Sequence, residues 1–174
     1  MDEVIIVEYD PLWPVLFEQE AMRLRQILAQ KLIVCIEHFG STAVPGLAAK
    51  PIIDLLVGMN SLTLAKQVAV SQLEALGYSY WSDNPDPRRM FFVKGLPPNG
   101  PRTHHIHIVE PNSELWERLL FRDYLRKHPD EAQRYAYLKR DLAQRFATAR
   151  EAYTGAKAEY VQSVMQKARQ EFAV

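Results

Sequence analysis

The run His38-Phe39-Gly40-Ser41-Thr42-Ala43-Val44-Pro45-Gly46-Leu47-Ala48-Ala49-Lys50-Pro51-Ile52-Ile53-Asp54-Leu55-Leu56-Val57 decides how this chain is read. The residues leading into it, Leu32 to Phe39, are β-branched and apolar and read as a buried strand that Gly40 ends. Pro51 to Val57 reads as a second buried strand, with Gly58 after it. One acid, Asp54, stands in the middle of that second apolar run. A buried carboxylate is costly unless it is paired, hydrogen-bonded or bound to metal. Asp54 is therefore expected to hold a metal or a phosphate-bound cation, with hydrogen bonding to a turn as the plainer alternative. On a strand it shares one face with Ile52 and Leu56.

Working outward, Gly40-Ser41-Thr42 leaves the first strand with backbone N–H groups and two hydroxyls available to an anion. Alone this is a weak signal, and it is not a Walker loop, since no Gly-x-x-x-x-Gly-Lys-Ser/Thr pattern occurs. Downstream, Thr103-His104-His105-Ile106-His107-Ile108-Val109-Glu110 reads as another strand. Alternation puts His105 and His107 on one face and His104, Ile106, Ile108 and Glu110 on the other. Neutral imidazoles two apart on a strand suit a transition metal. If this strand lies beside the Asp54 strand, Asp54, His105 and His107 form a two-histidine, one-carboxylate group. Lys50 and Arg102 precede the two strands and can clamp phosphate or be ordinary surface charge. Arg88 and Arg89 read as solvated loop residues.

The rest of the pattern is mixed. Val4 to Val7 is a short strand candidate, and Asp10-Pro11 opens a helix to Gln30 with Leu12, Val15, Leu16, Gln19 and Arg23 stepping round it. Ser61 or Thr63 caps a helix to Leu76 that Gly77 stops. Tyr78 to Trp81 and Met90 to Lys94 are further strands, with a turn-rich tract from Ser82 to Pro87 between them and a turn from Leu96 to Pro101 after them. After Pro111 three helices are expected: Ser113 to Lys127, Pro129 to Ala147, and Thr154 to Phe172. This predicts an α+β (mixed α/β) fold of about five strands in one domain, residues 1–174, with a core over 1–111 and a helical extension over 112–174. The extension reads as a layer over the sheet or a subunit contact, so oligomerisation through the C-terminal helices is open.

Composition narrows the function classes. The chain has 174 residues, 21 Lys+Arg against 21 Asp+Glu, and one cysteine. Zero net charge makes no electrostatic case for nucleic acid or a membrane surface. Between Glu117 and Val174 there are 12 Lys/Arg and 8 Asp/Glu, which leaves room for a local anion-binding face. Cys35 has no partner for an internal disulfide and reads as a small buried core residue. No apolar run has the length of a membrane span, and Met-Asp-Glu-Val carries no basic leader, so a cytoplasmic location is expected.

The residues His38 to Leu47, then Lys50-Pro51-Ile52-Ile53-Asp54 and His105-Ile106-His107-Ile108-Val109, resemble the GrpB family of nucleotidyltransferase-like proteins. The resemblance continues through Phe121-Arg122-Asp123-Tyr124-Leu125, Tyr135-Ala136-Tyr137-Leu138-Lys139, and Tyr153-Thr154 with Lys157, so it covers nearly the whole chain. It implies a nucleotidyltransferase-like fold: a small mixed sheet with packed helices, here with three helices added at the C-terminal end. It also implies a Gly-Ser turn, a strand with two acids one residue apart, and a third acid on a later strand, together holding two divalent cations. Gly40-Ser41 matches the turn and Asp54 the first acid. Leu56 stands where the second acid belongs, and the later strand offers His105 and His107, or Glu110 on its other face. A divalent metal is implied, magnesium by the pattern, with histidine ligands favouring manganese or zinc.

The resulting expectation is a metal-dependent nucleotidyltransferase acting on a small-molecule acceptor, with Asp54 and His107 catalytic and a nucleotide or other phosphorylated small molecule as partner. Gly40, Ser41, Thr42, Lys50, Arg102, Arg122 and Lys139 would bind phosphate or nucleotide. The alternatives are a degenerate nucleotide-binding accessory module in coenzyme A or nucleotide metabolism, as GrpB-like domains also occur fused to dephospho-coenzyme A kinase, and a metal-dependent hydrolase.

Overall fold

The computed structural model describes residues 3–96 and 100–172. The helix β-strand order is α1 (Trp13–Ile27), β1 (Ile33–Phe39), a 3-10 turn (Ser41–Ala43), β2 (Ile53–Met59), α2 (Leu62–Ala75), β3 (Tyr78–Tyr80), β4 (Arg89–Lys94), β5 (His104–Val109), α3 (Arg118–Lys127), α4 (Pro129–Arg145), α5 (Arg150–Ala156) and α6 (Ala158–Phe172). The five strands form one sheet in the order β1-β2-β5-β4-β3. Only β2 and β5 pair in parallel. The fold is α+β, as the residue pattern implies.

Strand alternation divides the sheet into two unlike faces. Ile53, Leu55, Val57 and Met59 from β2, with Ile106 and Ile108 from β5, pack under α1 and α2 in the main core. From α1 the buried stripe is Trp13, Phe17, Ala21 and Leu24, a spacing that keeps them on one helix face. Leu12, Val15 and Leu16, on its other faces, are exposed. Ser61 caps α2, its hydroxyl accepting from the Leu64 N–H at 3.3 Å. On the other face, Phe39, Leu56 and Val109 pack with Leu115, Trp116 and Leu119, and the remainder of that face is open.

The C-terminal helices bury their apolar side chains on the segment after the 3-10 turn. Val44, Leu47 and Ala48 pack with Tyr124 and Leu125 of α3, Ala132, Tyr135 and Ala136 of α4, and Val164 and Ala168 of α6. They therefore stand beside the open sheet face as a second wall. Four expectations are corrected here. Val4 to Val7 forms no strand, only a bridge between Val7 and Ala49. Residues 111–117 are turns, so α3 starts at Arg118. Thr154 does not cap the last helix; it lies within α5, where its hydroxyl donates to the Arg150 carbonyl at 2.9 Å. Cys35 is half-buried, with its thiol pushed up by burial and by Glu37. The expected turn from Leu96 to Pro101 falls partly on 97–99, outside the described residues.

Candidate functional site

The parallel pairing of β2 and β5 sets Asp54 directly beside His105, and Leu56 beside His107. The Asp54 Oδ1 and His105 Nδ1 atoms are 3.1 Å apart. One ligand atom from each of Asp54, His105 and His107 lies within 4.8 Å of the others. Burial alone would raise the Asp54 carboxyl. The His105 hydrogen bond and the neighbouring His105, His107 and Lys50 outweigh it and hold the group below the usual carboxylate range. His107 is boxed between Phe39, with ring centroids 5.2 Å apart, and Phe91, at 4.6 Å. Burial depresses it to about 3, so at neutral pH it is an uncharged ring.

The donor set fits a cation. His105 Nε2 and His107 Nδ1 are buried without a hydrogen-bond partner, the condition of a nitrogen kept for another ligand. A carboxylate and two neutral imidazoles suit manganese or zinc better than magnesium, which favours oxygen. Glu110 takes no part: its carboxylate accepts the Leu62 N–H at 3.0 Å, at the start of α2.

Gly40 is the reason the turn can sit against this group. Its φ is +73°, and a Cβ there would stand 2.6 Å from Asp54 Oδ2. Only glycine lets the backbone approach the carboxylate this closely. Ser41 and Tyr135 of α4 both line the cleft, so the turn faces the helical wall. Thr42 is committed to the scaffold instead. Its hydroxyl lies 3.0 Å from His38 Nε2 and donates to the Ile52 carbonyl at 3.3 Å.

Between the sheet face and the helical wall runs a cleft of about 820 Å³. That is ample for a nucleotide-sized ligand. Gly40, Ser41, Thr42, Lys50, Asp54, Arg102, His105, His107 and Lys139 all line it. Arg122 does not. Its guanidinium bonds Glu37 at 2.7 Å, the His38 carbonyl at 2.8 Å and Asp123 at 2.7 Å, tying α3 to β1. The carboxylates of Glu37 and Asp123 hold it charged, in a structural role that replaces the expected phosphate contact.

Sequence reasoning overlooked several cleft residues. Arg89, expected to be solvated, points with Phe91 and Val93 to the histidine side, because β4 pairs with β5 and places Phe91 opposite His107. Alternation within β4 carries that signal, but only once its partner strand is known. Arg88 is exposed and paired with Asp86 at 3.0 Å, as a loop arginine should be. Arg118, Arg150, Tyr153 and Lys157 arrive from the tail. In all, seven Lys/Arg side chains and two carboxylates line the cleft, so a chain of zero net charge presents a strongly cationic concavity.

The GrpB protein family model matches residues 3–167 of this sequence. The chain belongs to the GrpB family. UPF0157 protein PA4798 of Pseudomonas aeruginosa is 49% identical over 168 residues, covering 96% of this chain and 68% of that protein. The crystal structure of conserved protein GrpB from Enterococcus faecalis superposes with a TM-score of 0.86 at 36% identity, covering 98% of this chain and all of that one. A dephospho-CoA kinase of Mycolicibacterium paratuberculosis is 28% identical over 190 residues, covering 95% of this GrpB chain and 46% of the kinase. Among the described residues, no helix is long and apolar enough to cross a membrane.

Proposed function

We propose that this GrpB chain is a divalent-cation-dependent nucleotidyltransferase acting on a small-molecule acceptor. The observation that carries the reading is the close packing of the Gly-Ser turn onto Asp54 at the head of a cationic cleft, where a Cβ on Gly40 would stand 2.6 Å from Asp54 Oδ2. In this account Asp54, His105 and His107 hold one cation. When bound, it would neutralise phosphate charge and favour ionisation of the attacking hydroxyl. Gly40 and Ser41 present backbone and hydroxyl donors to the phosphates, and Lys50 and Arg102 add charge. The acceptor hydroxyl gives its proton to water, its oxygen bonds to the α-phosphorus, the bond from that phosphorus to the bridging oxygen breaks, and pyrophosphate leaves. His107, uncharged and depressed to about 3, serves as a ligand and not as the base. A cytoplasmic setting and a phosphorylated small-molecule partner belong to the same proposal.

The test is pyrophosphate release from ATP, CTP, GTP and UTP with pooled small-molecule alcohols and Mn²⁺, Zn²⁺ or Mg²⁺. Release that Asp54→Asn abolishes in a folded protein is the expected result. No release with any pair, alongside retained nucleotide binding, would favour a second reading: a binding module without turnover. Two observations support that alternative. Leu56 is fully buried with Phe39 and Val109, which leaves the second-acid position apolar. The kinase relative also includes a GrpB-like stretch within a coenzyme A biosynthetic enzyme. Phosphate in place of pyrophosphate would instead mark a hydrolase.

A further inference from the structure

Two lysines of the helical wall, Lys139 and Lys157, and Lys50 from the segment before β2 stand against two tyrosine rings. Lys157 Nζ lies 4.1 Å and Lys50 Nζ 5.2 Å from the centroid of the Tyr153 ring. Lys139 Nζ lies 4.7 Å from that of Tyr135 and donates to the Ala48 carbonyl. Lys139 is 2% exposed, yet it lines the cleft. Among the described residues, no carboxylate forms an ion pair with Lys139 or Lys157. Charging Lys139 and Lys157 side by side in a buried wall without a paired carboxylate is costly. A chain that does so at a cavity wall has left the counter-charge to a ligand.

We propose that Lys50, Lys139 and Lys157 form a receptor for a polyphosphate group, either free pyrophosphate or the β- and γ-phosphates of a nucleotide. A monoanion cannot offset both Lys139 and Lys157 once they are charged, whereas a pyrophosphate carries several charges and many acceptor oxygens. An ammonium has three donors, and Lys139 spends one on Ala48, leaving two for a ligand. The wall faces the cation group: Tyr135, over which Lys139 lies, lines the same cleft as Ser41 and Asp54. The inference deepens the proposed function, since this would be the leaving end of the nucleotide, but it needs no cation at Asp54.

The environment supplies a second signature. Burial, then Lys157, Lys50 and Arg140, push Lys139 down to about 6. Burial, Lys50, Arg118 and Arg150 push Lys157 down to about 7, with Asp54 opposing. Tyr135 and Tyr153, the rings beneath them, are both pushed up by burial and stay neutral. Polyphosphate binding would charge both lysines, so at pH 8 it should draw about one to two protons from the buffer.

Calorimetry in EDTA tests this, with pyrophosphate, ATP and AMP titrated at pH 8 in two buffers of different ionisation enthalpy. Pyrophosphate and ATP should bind with proton uptake, and AMP about tenfold or more weakly. Lys157→Gln should weaken pyrophosphate about tenfold and remove about one proton, and Lys139→Met should do the same if its melting curve shows a folded protein. Asp54→Asn should retain the metal-free binding. AMP binding as tight as ATP, binding without proton uptake, wild-type affinity in Lys157→Gln, or no pyrophosphate binding would each overturn the proposal. Absence of pyrophosphate release in the transfer assay would instead remove the catalytic reading and leave the receptor standing.

Discussion

Replacing Gly40 by alanine should damage both the fold and the cation group. An added Cβ would lie 2.6 Å from Asp54 Oδ2, 3.2 Å from its Cγ and 3.3 Å from its Cβ. Rotating the carboxylate relieves only the first contact, because the Asp54 Cβ is fixed by β2. The backbone adds a separate cost, since φ +73° with ψ −169° is a region that L-residues rarely occupy. Strain of this kind costs roughly 1–3 kcal/mol, and overpacking a similar amount, for a total of about 2–6 kcal/mol. For a chain of this size that corresponds to a melting temperature lower by roughly 4–24 °C. Gly46→Ala is the control: its φ is +76°, but nothing lies within 4 Å of the added Cβ, so only the backbone cost remains. Scanning calorimetry of both variants, with a Mn²⁺ titration of each, separates the two effects. Gly40→Ala should melt well below Gly46→Ala and bind Mn²⁺ more weakly. Equal melting temperatures with wild-type Mn²⁺ affinity would refute the claim that the turn is packed onto Asp54.

Two further outcomes follow from the same geometry. Arg122→Met should destabilise the chain by about 1–3 kcal/mol in urea unfolding, because it strips the buried His38 carbonyl and the half-exposed Glu37 of their donor, while Mn²⁺ and pyrophosphate binding stay unchanged. Lys139 has a folded value of about 6, below that of the unfolded chain, so the unfolded state binds more protons between those values and stability rises with pH across that window. Wild type should therefore gain stability relative to Lys139→Met on the order of 1 kcal/mol per pH unit from pH 6 to 9, read from urea midpoints; a constant difference would contradict a buried, unpaired ammonium.

The strand runs and the chemistry on them were legible because alternation carries both. Asp54 stands out as an acid in an apolar strand, and His105 and His107 share a face whatever strand lies beside them. Their convergence depends on β2 pairing with β5 in parallel, which nothing local specifies. The tail was legible as helices but not as a wall. Its placement is set by Val44, Leu47 and Ala48, small and apolar residues that read only as a loop until the helices close over them. For the same reason Arg122 and Lys139 looked equivalent in sequence. One turned inward to Glu37 and the His38 carbonyl, and the other reached the cleft. The buried face of α1 was not legible, because Leu12, Val15 and Leu16 are apolar yet exposed, while the small Ala21 is buried.

The central claim is that Asp54, His105 and His107 bind one divalent cation. A Mn²⁺ titration followed by electron paramagnetic resonance, on wild type and on Asp54→Asn and His107→Gln in parallel, tests it most directly. The account predicts one saturable Mn²⁺ per chain in wild type, competed by Zn²⁺ and lost or weakened about tenfold or more in both folded variants. No saturable site in wild type, or equal affinity in all three proteins, would contradict it.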